Sequence, residues 1–436
     1  MKKTIFSIAF LLFCMLIQAN NLLVQNVTTT GNNATNKTIQ VQFDLSWDNS
    51  WRDDTNWDAA WIFMKFKDAN GVWQHAQLNT TGFANGTGTA NTVKVTADNI
   101  GCWVHRSANG SGTFNSTSMQ LQWNYGLSGL TSVTGLEVRV FAVEMVYVPE
   151  GDFNVAKQFY LEPTNGWGRA HNGSLNAPGS KFPVVNTRLT PTLTYNDKTS
   201  ASVRIKGDAG IDTDNNGTVD NTTYPIGYRA FYSYKYELTE QQYADFLNTL
   251  TATQKTTLGI AGTGITLSNG QYFSSTPTKA CNKATAARLF AYADWSGVRP
   301  MSFLEFNKAS YGPLQPVLNT FSGINGYSSW GTSNTQPTGF SETATNVGYA
   351  DGPTSTRASS GASYYGILEL TGSAVEPVVK LNYTSFTSAN GNGVLSSSGT
   401  TDIATWNESG MMIFIDQHDG SYSATNYGFR YVRSAE

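Results

Sequence analysis

Charge is scarce in this chain. Asp, Glu, Lys and Arg make up 14% of its 436 residues, against roughly 25% in ordinary soluble domains. The net charge is −3, and no run of lysine or arginine breaks that near-neutrality. The electrostatic footprint of a nucleic-acid partner is therefore missing. Cysteine is scarcer still: Cys14, Cys102 and Cys281 are all there is. Their wide spacing offers neither a disulfide framework nor the paired ligands of a zinc site. Cys102 and Cys281 read instead as small buried hydrophobes. The four histidines, His75, His105, His171 and His418, show no paired spacing. There is no Gly-x-Ser-x-Gly nucleophile elbow, and Asp416 and Asp419 neighbour His418 only along the chain. No apolar run beyond the leader is long enough for a membrane span.

The space left by charge is filled with Gly, Asn, Ser and Thr, and aromatics reach 13%. That balance suits a β-rich, loop-heavy exported protein. Residues 1–19 read as a signal peptide: Lys2 and Lys3 supply the positive start, Ile5 to Ile17 the apolar stretch, and Ala19 a small cleavage residue. Phe13 stands before Cys14 where acylation wants a small residue, which argues against a lipid anchor. The mature protein is expected outside the cytoplasm, in the periplasm, on the cell surface or beyond it.

Residues 20–144 predict an all-β sandwich. Ile39, Val41, Phe43, Leu45 and Trp47 alternate with polar residues, the period of a half-buried strand. Further strands are expected at Ile62 to Phe66, Val93 to Val95, Met119 to Trp123 and Leu136 to Val140. Asn70-Gly71, Asn85-Gly86 and Asn109-Gly110 supply turns between them. Trp47, Trp51, Trp57 and Trp61 cluster early; such residues form core and edge packing or, less often, stack sugar rings. A boundary is expected near Glu144, with a fresh strand from Met145 opening a second unit over 145–436. No flexible linker separates the two, so they are expected to pack together.

The second unit carries the helices, which makes the chain α+β. Thr239 and Gln242 form a capping box ahead of Tyr243, Phe246, Leu247 and Leu250. Ala286, Leu289, Phe290 and Ala293 mark a second helix, stopped at Gly297. Ser302 and Glu305 cap a third that ends before Gly312. Ahead of the helices, and not flanked by them, lies a loop with calcium-binding spacing: Asp212, Asp214, Asn216 and Asp220 occupy positions 1, 3, 5 and 9 of an EF-hand-like pattern. Gly217 sits at the sharp turn, and the Thr218 carbonyl is placed at position 7. Position 12 is Thr223 rather than a bidentate Glu, so a weak extracellular site or a solvated turn is expected.

Five segments in order resemble the formylglycine-generating (sulfatase-modifying factor) family. They are Met145 to Phe153, Tyr236 to Asn248, Ala291 to Phe306, Tyr365 to Glu376, and Gly428-Phe429-Arg430. The resemblance implies a variant C-type-lectin fold for 145–436. It also implies a calcium site at Thr371, Gly372, Ala374 and Glu376, built largely of backbone carbonyls, with a second beginning at Asn346 and Val347. The family's copper-binding thiols belong shortly before the closing Gly-Phe-Arg. The stretch from Trp406 to Tyr427 holds no cysteine, and thiolate is the soft ligand that Cu(I) needs. Neither copper nor iron is expected. Ser373, Val375 and Pro377 also replace the family's Asn and two Trp around Glu376.

Three functions follow as expectations. The first is a non-catalytic binding or structural protein that presents loops, especially Asn382 to Tyr427, to a protein or carbohydrate at the cell surface. The second is a metal-dependent oxidoreductase with displaced residues, for which Cys281, just ahead of a helix, is the candidate thiol. The third is a self-assembling scaffold subunit.

Overall fold

The computed structural model describes residues 21–154, 184–185, 193–194, 223–313, 346–349, 351–352, 355, 360–370, 373–374, 376–380, 385–406, 412–415 and 427–435. Residues 1–20, where a signal peptide is expected, the loop from Asp212 to Asp220, Thr371, Gly372 and His418 lie outside them. Strand accounts for 41% and helix for 13%, so the fold is β-rich with a few local helices.

The strands of the first half are β1 (Leu23–Asn33), β2 (Thr38–Arg52), β3 (Asp58–Lys67), β4 (Trp73–Ala76), β5 (Thr87–Gly88), β6 (Asn91–Val95), β7 (Gly101–Arg106), β8 (Gly110–Asn124) and β9 (Glu137–Val148). Two-residue strands β10 (Phe153–Asn154), β11 (Val184–Val185) and β12 (Leu193–Thr194) form a small sheet of their own. The second half supplies β13 (Phe231–Tyr234), β14 (Ile265–Ser268), β15 (Gln271–Ser274), β16 (Arg299–Pro300), β17 (Glu376–Val379), β18 (Met412–Ile415) and β19 (Tyr431–Ser434). Its helices are α1 (Glu240–Leu247), α2 (Ala252–Leu258), α3 (Ala286–Ser296) and α4 (Phe303–Tyr311).

Two sheets face each other in the first half. One runs β1-β2-β8-β5; the other runs β16-β19-β13-β9-β3-β7-β6, with β4 also paired to β3. Ile39, Val41, Phe43, Leu45 and Trp47 of β2 interdigitate with Ala60, Ile62, Met64 and Phe66 of β3 to make the sandwich core. The outer face of β2 and β8 carries amides, joined by Gln120 Nε2 donating to Gln42 Oε1 at 3.0 Å.

The second sheet does not stop at the sandwich. The strands expected on either side of Glu144 are one strand, β9, which pairs with β3 on one side and β13 on the other. The reason is local: Val138 to Val148 contains no Gly, Pro or Asn at which the chain could turn. β3 is consequently buried on both faces. Its second face, Ala59, Trp61 and Phe63, packs into a larger core with Leu289, Phe290 and Trp295 of α3 and Phe246 of α1. Trp61 Nε1 donates to Ser296 O at 2.8 Å, and Trp103 of β7 stacks on Tyr232 of β13 at 3.7 Å. Trp47 and Trp61 are thus core residues.

The helices start where capping chemistry places them. Thr239, Thr251 and Ser302 each accept from an N–H three residues on, and Gln242, Gln254 and Glu305 reciprocate. α3 ends at Gly297, whose φ of 73° is left-handed. A Cβ there would stand 2.4 Å from Ile100 Cγ2 of the sandwich, so glycine both ends the helix and lets the two halves meet.

Candidate functional site

Three lone charges interrupt apolar runs: Asp58 beside Trp57, Glu144 between Val143 and Met145, and Lys235 between Tyr234 and Tyr236. Sheet register gathers them. The Lys235 N–H donates to Glu144 O across to β9 at 3.0 Å, and Ala60 of β3 stands opposite Glu144 on its other side. Asp58, two residues from Ala60, projects to the same face. Lys235 Nζ lies 2.6 Å from Glu144 Oε1, 3.5 Å from Asp351 Oδ2 and 3.9 Å from Asp58 Oδ2. Lys235, Glu144 and Asp58 are all buried. Asp58 Oδ1 accepts from Ser50 Oγ and the Trp51 N–H, each at 3.0 Å, and Oδ2 accepts from Trp47 Nε1 at 2.9 Å. Tyr236 donates its hydroxyl to Asp351 at 2.6 Å. Burial pushes Glu144 up to about 8, with Lys235 pulling the other way. Burial likewise raises Asp58. Burial disfavours the Lys235 charge, yet Glu144, Asp351 and Asp58 hold its pKa above the ordinary lysine value.

A second charged group adjoins the first. Arg430, fully buried, donates through Nε to Glu376 Oε1 at 3.1 Å and through its other nitrogens to the carbonyls of Tyr234, Lys235, Leu368 and Glu369. Glu237 Oε1 accepts from the Ala374 N–H at 2.8 Å, and Glu369 Oε1 from the Gly348 N–H at 2.5 Å. The remaining oxygens, Glu237 Oε2 and Glu369 Oε2, are buried without a donor. Burial raises Glu237 to about 7, against the pull of Arg430. Burial and then the charge of Glu237 raise Glu369 to about 8. Of the calcium set expected from sequence, Ala374 and Glu376 therefore stand beside an acid pair with spare oxygens. Glu376 itself gives one oxygen to Arg430, while Thr371 and Gly372 lie outside the described residues, as does the whole set Asp212, Asp214, Asn216, Thr218 and Asp220.

The third feature is a pinned loop. Asp294, at the buried end of α3, accepts from the Asn392 N–H at 2.9 Å, from Thr401 Oγ1 at 2.6 Å and from the Asp402 N–H at 3.1 Å. Burial lifts it to about 6. From the sandwich side, Lys65 Nζ donates to Gly393 O at 2.7 Å and lies 5.2 Å from the Trp295 ring centroid. His75 fills the space beside Gly393, where a Cβ would come within 2.2 Å of its Nδ1. Both halves of the molecule thus hold the segment 391–402, part of the stretch expected to face a partner. Val394 projects from it, 44% exposed.

The cysteines stand apart from all three features. Cys102 packs in the sandwich core and Cys281 in the larger core, both free. Burial raises both thiols, and Glu240 adds to the effect at Cys281. Among the described residues no group of three His, Cys, Asp or Glu side chains has the geometry of a metal site, and no helix is long and apolar enough to cross a membrane.

The buried charges escaped sequence reasoning, although a signal existed. In a chain this poor in charge, a single Asp, Glu or Lys inside an apolar run marks a buried partner. No family profile, curated protein or solved structure matches the chain.

Proposed function

We propose that this is an exported, non-catalytic scaffold of the formylglycine-generating fold class that presents loops to a protein or carbohydrate at the cell surface. The observation that carries the reading is the segment 391–402, held from one side by Asp294 and from the other by Lys65. A loop fixed at both flanks is pre-organised, which lowers the ordering cost of binding. The cysteines support the same reading. Copper-thiolate chemistry needs accessible thiolates, and Cys102 and Cys281 are sealed, protonated core residues.

Calcium belongs to this proposal as a structural ion. Glu237 and Glu369 carry buried oxygens without donors beside Ala374 and Glu376, and hard oxygen ligands with excess negative charge suit that ion. It would neutralise the acid pair and tie the segments around 237, 369 and 374 together.

The test is elemental analysis of protein purified without chelator, followed by co-sedimentation with cell envelopes and insoluble polysaccharides. Bound calcium, no copper or iron, and sedimentation lost on Val394→Asp are expected. Stoichiometric copper or iron with oxidation of a cysteine-bearing peptide would overturn the scaffold reading in favour of a redox enzyme with displaced ligands.

A further inference from the structure

The cluster of Lys235, Glu144 and Asp58 has the layout of a self-condensing site. We propose that Lys235 and Asp58 join in an intramolecular isopeptide bond, with Glu144 as the proton carrier.

The amine and the acid stand on one face of three neighbouring strands. Lys235 Nζ is 3.9 Å from Asp58 Oδ2, and Glu144 Oε1 touches the same nitrogen at 2.6 Å. Such proximity turns a slow bimolecular condensation into a unimolecular one. Asp58 is dressed as the electrophile. Ser50 Oγ and the Trp51 N–H both donate to Oδ1, where negative charge gathers when a carboxyl carbon becomes tetrahedral. Trp47 Nε1 donates to Oδ2, the oxygen that departs. Glu144 differs from Asp58 in keeping Oε2 buried without a donor, so it is free to carry a proton. Its raised pKa suits that task near neutrality.

The step balances without an outside reagent. The Lys235 ammonium gives one proton to Glu144, and its lone pair attacks Asp58 Cγ to form the C–N bond. The Cγ–Oδ2 bond breaks. Oδ2 leaves as water, taking one proton back from Glu144 and one from the nitrogen. An ammonium and a carboxylate become a neutral amide; nothing is oxidised or reduced. Condensation consumes one of the three carboxylates that face Lys235 together with its ammonium, so the net charge of the cluster is unchanged. Glu144, having returned its proton, ends as it began, and Asp351 remains with the Tyr236 hydroxyl. The bond would join the first strand of the shared sheet's centre to the second half of the chain.

A tryptic map of the full purified protein decides the matter. Without the bond, trypsin releases Asp53–Lys65 and Ala230–Lys235 as separate linear peptides. With it, Lys235 resists cleavage, and Asp53–Lys65 appears joined to Ala230–Lys255, lighter than the two together by one water. Recovery of both linear peptides in full overturns the proposal, as does a bond from Lys235 to Asp351 or Glu144. Glu144→Gln keeps the shape and removes the carrier, so the link should form about 100-fold more slowly or not at all; undiminished linkage would refute the role of Glu144. In Asp58→Asn the joined peptide should be lighter by one ammonia instead. The wild-type map stands alone if a variant fails to fold.

Discussion

Cutting the chain after Glu144, where the sequence suggests a domain boundary, should destroy the sandwich rather than release it. In fragment 20–144 the second face of β3 and β7 would lose its cover. Trp61, Phe63 and Trp103 are fully buried in the intact chain, against Ser296, Trp295 and Tyr232 among others. An aromatic side chain buries about 150–250 Å², so the three together expose about 600 Å². At ~25 cal/mol per Å² that is about 15 kcal/mol, an upper figure because unfolded chains are partly compact. A whole domain is stable by only about 5–15 kcal/mol. The fragment would also lose Met145 to Val148 of β9 and all of β13 from its sheet. Calorimetry of residues 20–436 should show one endotherm whose calorimetric and van't Hoff enthalpies agree, and the fragment should bind hydrophobic dyes and melt without a cooperative transition. Two separate endotherms, with fragment 20–144 reproducing one of them, would refute the shared-core reasoning.

Stability should fall as pH rises from about 5 to about 8 in EDTA. Glu237 and Glu369 keep protons in the folded state up to about 7 and about 8, whereas the ordinary value is 4.5. The folded chain then binds more protons than the unfolded one, so the contribution is complete below the ordinary value and lost through the raised ones. Calcium should flatten that slope; a melting temperature that rises over this range in EDTA would contradict the assignment. Arg430→Met should cost about 3–5 kcal/mol in chemical denaturation, because Glu376 is left as a buried uncompensated charge; a loss below about 1 kcal/mol would mean that solvent reaches the site. Gly297→Ala should destabilise by more than about 1 kcal/mol, since φ is 73° and Ile100 blocks the added methyl. Ellman titration of residues 20–436 should find no reactive thiol in the native state and two after denaturation, and rapid native labelling of Cys281 would reopen the thiol-based reading.

Local signals carried much of the architecture. The alternation from Ile39 to Trp47 and the capping residues Thr239, Ser302 and Gly297 mark elements that the fold contains, because each acts within one turn or one strand. Thr251 and Gln254 follow the same capping rule and were legible too, though the helix behind them, Ala252–Leu258, buries only Leu258 and shows no apolar periodicity. The identity of β9 as one strand was harder. Glu144 reads as a break in an apolar run, and only its pairing with Lys235 shows why a carboxylate can sit in the middle of a sheet. The charged clusters were illegible as sites for the same reason. Asp58, Glu144 and Lys235 are separated by nearly half the chain, and their meeting depends on the order β13-β9-β3. Calcium ligation at Thr371, Gly372, Ala374 and Glu376 rests on family resemblance, to which the fold adds the neighbouring acids Glu237 and Glu369.

The two-faced burial of β3 constrains how this protein can have changed over generations. A sandwich whose second sheet is wet on its outer side can be exchanged between genes as a ready-made cassette. Here the strand from Asp58 to Lys67 must satisfy two different cores at once, so a substitution at Trp61 is felt by the helices and one at Ile62 by the opposite sheet. Recombination that imported a foreign partner for either half would meet a surface evolved for another. The halves are therefore expected to be inherited together and to drift together, with variation tolerated at the loop tips and the amide-lined outer sheet rather than at the seam.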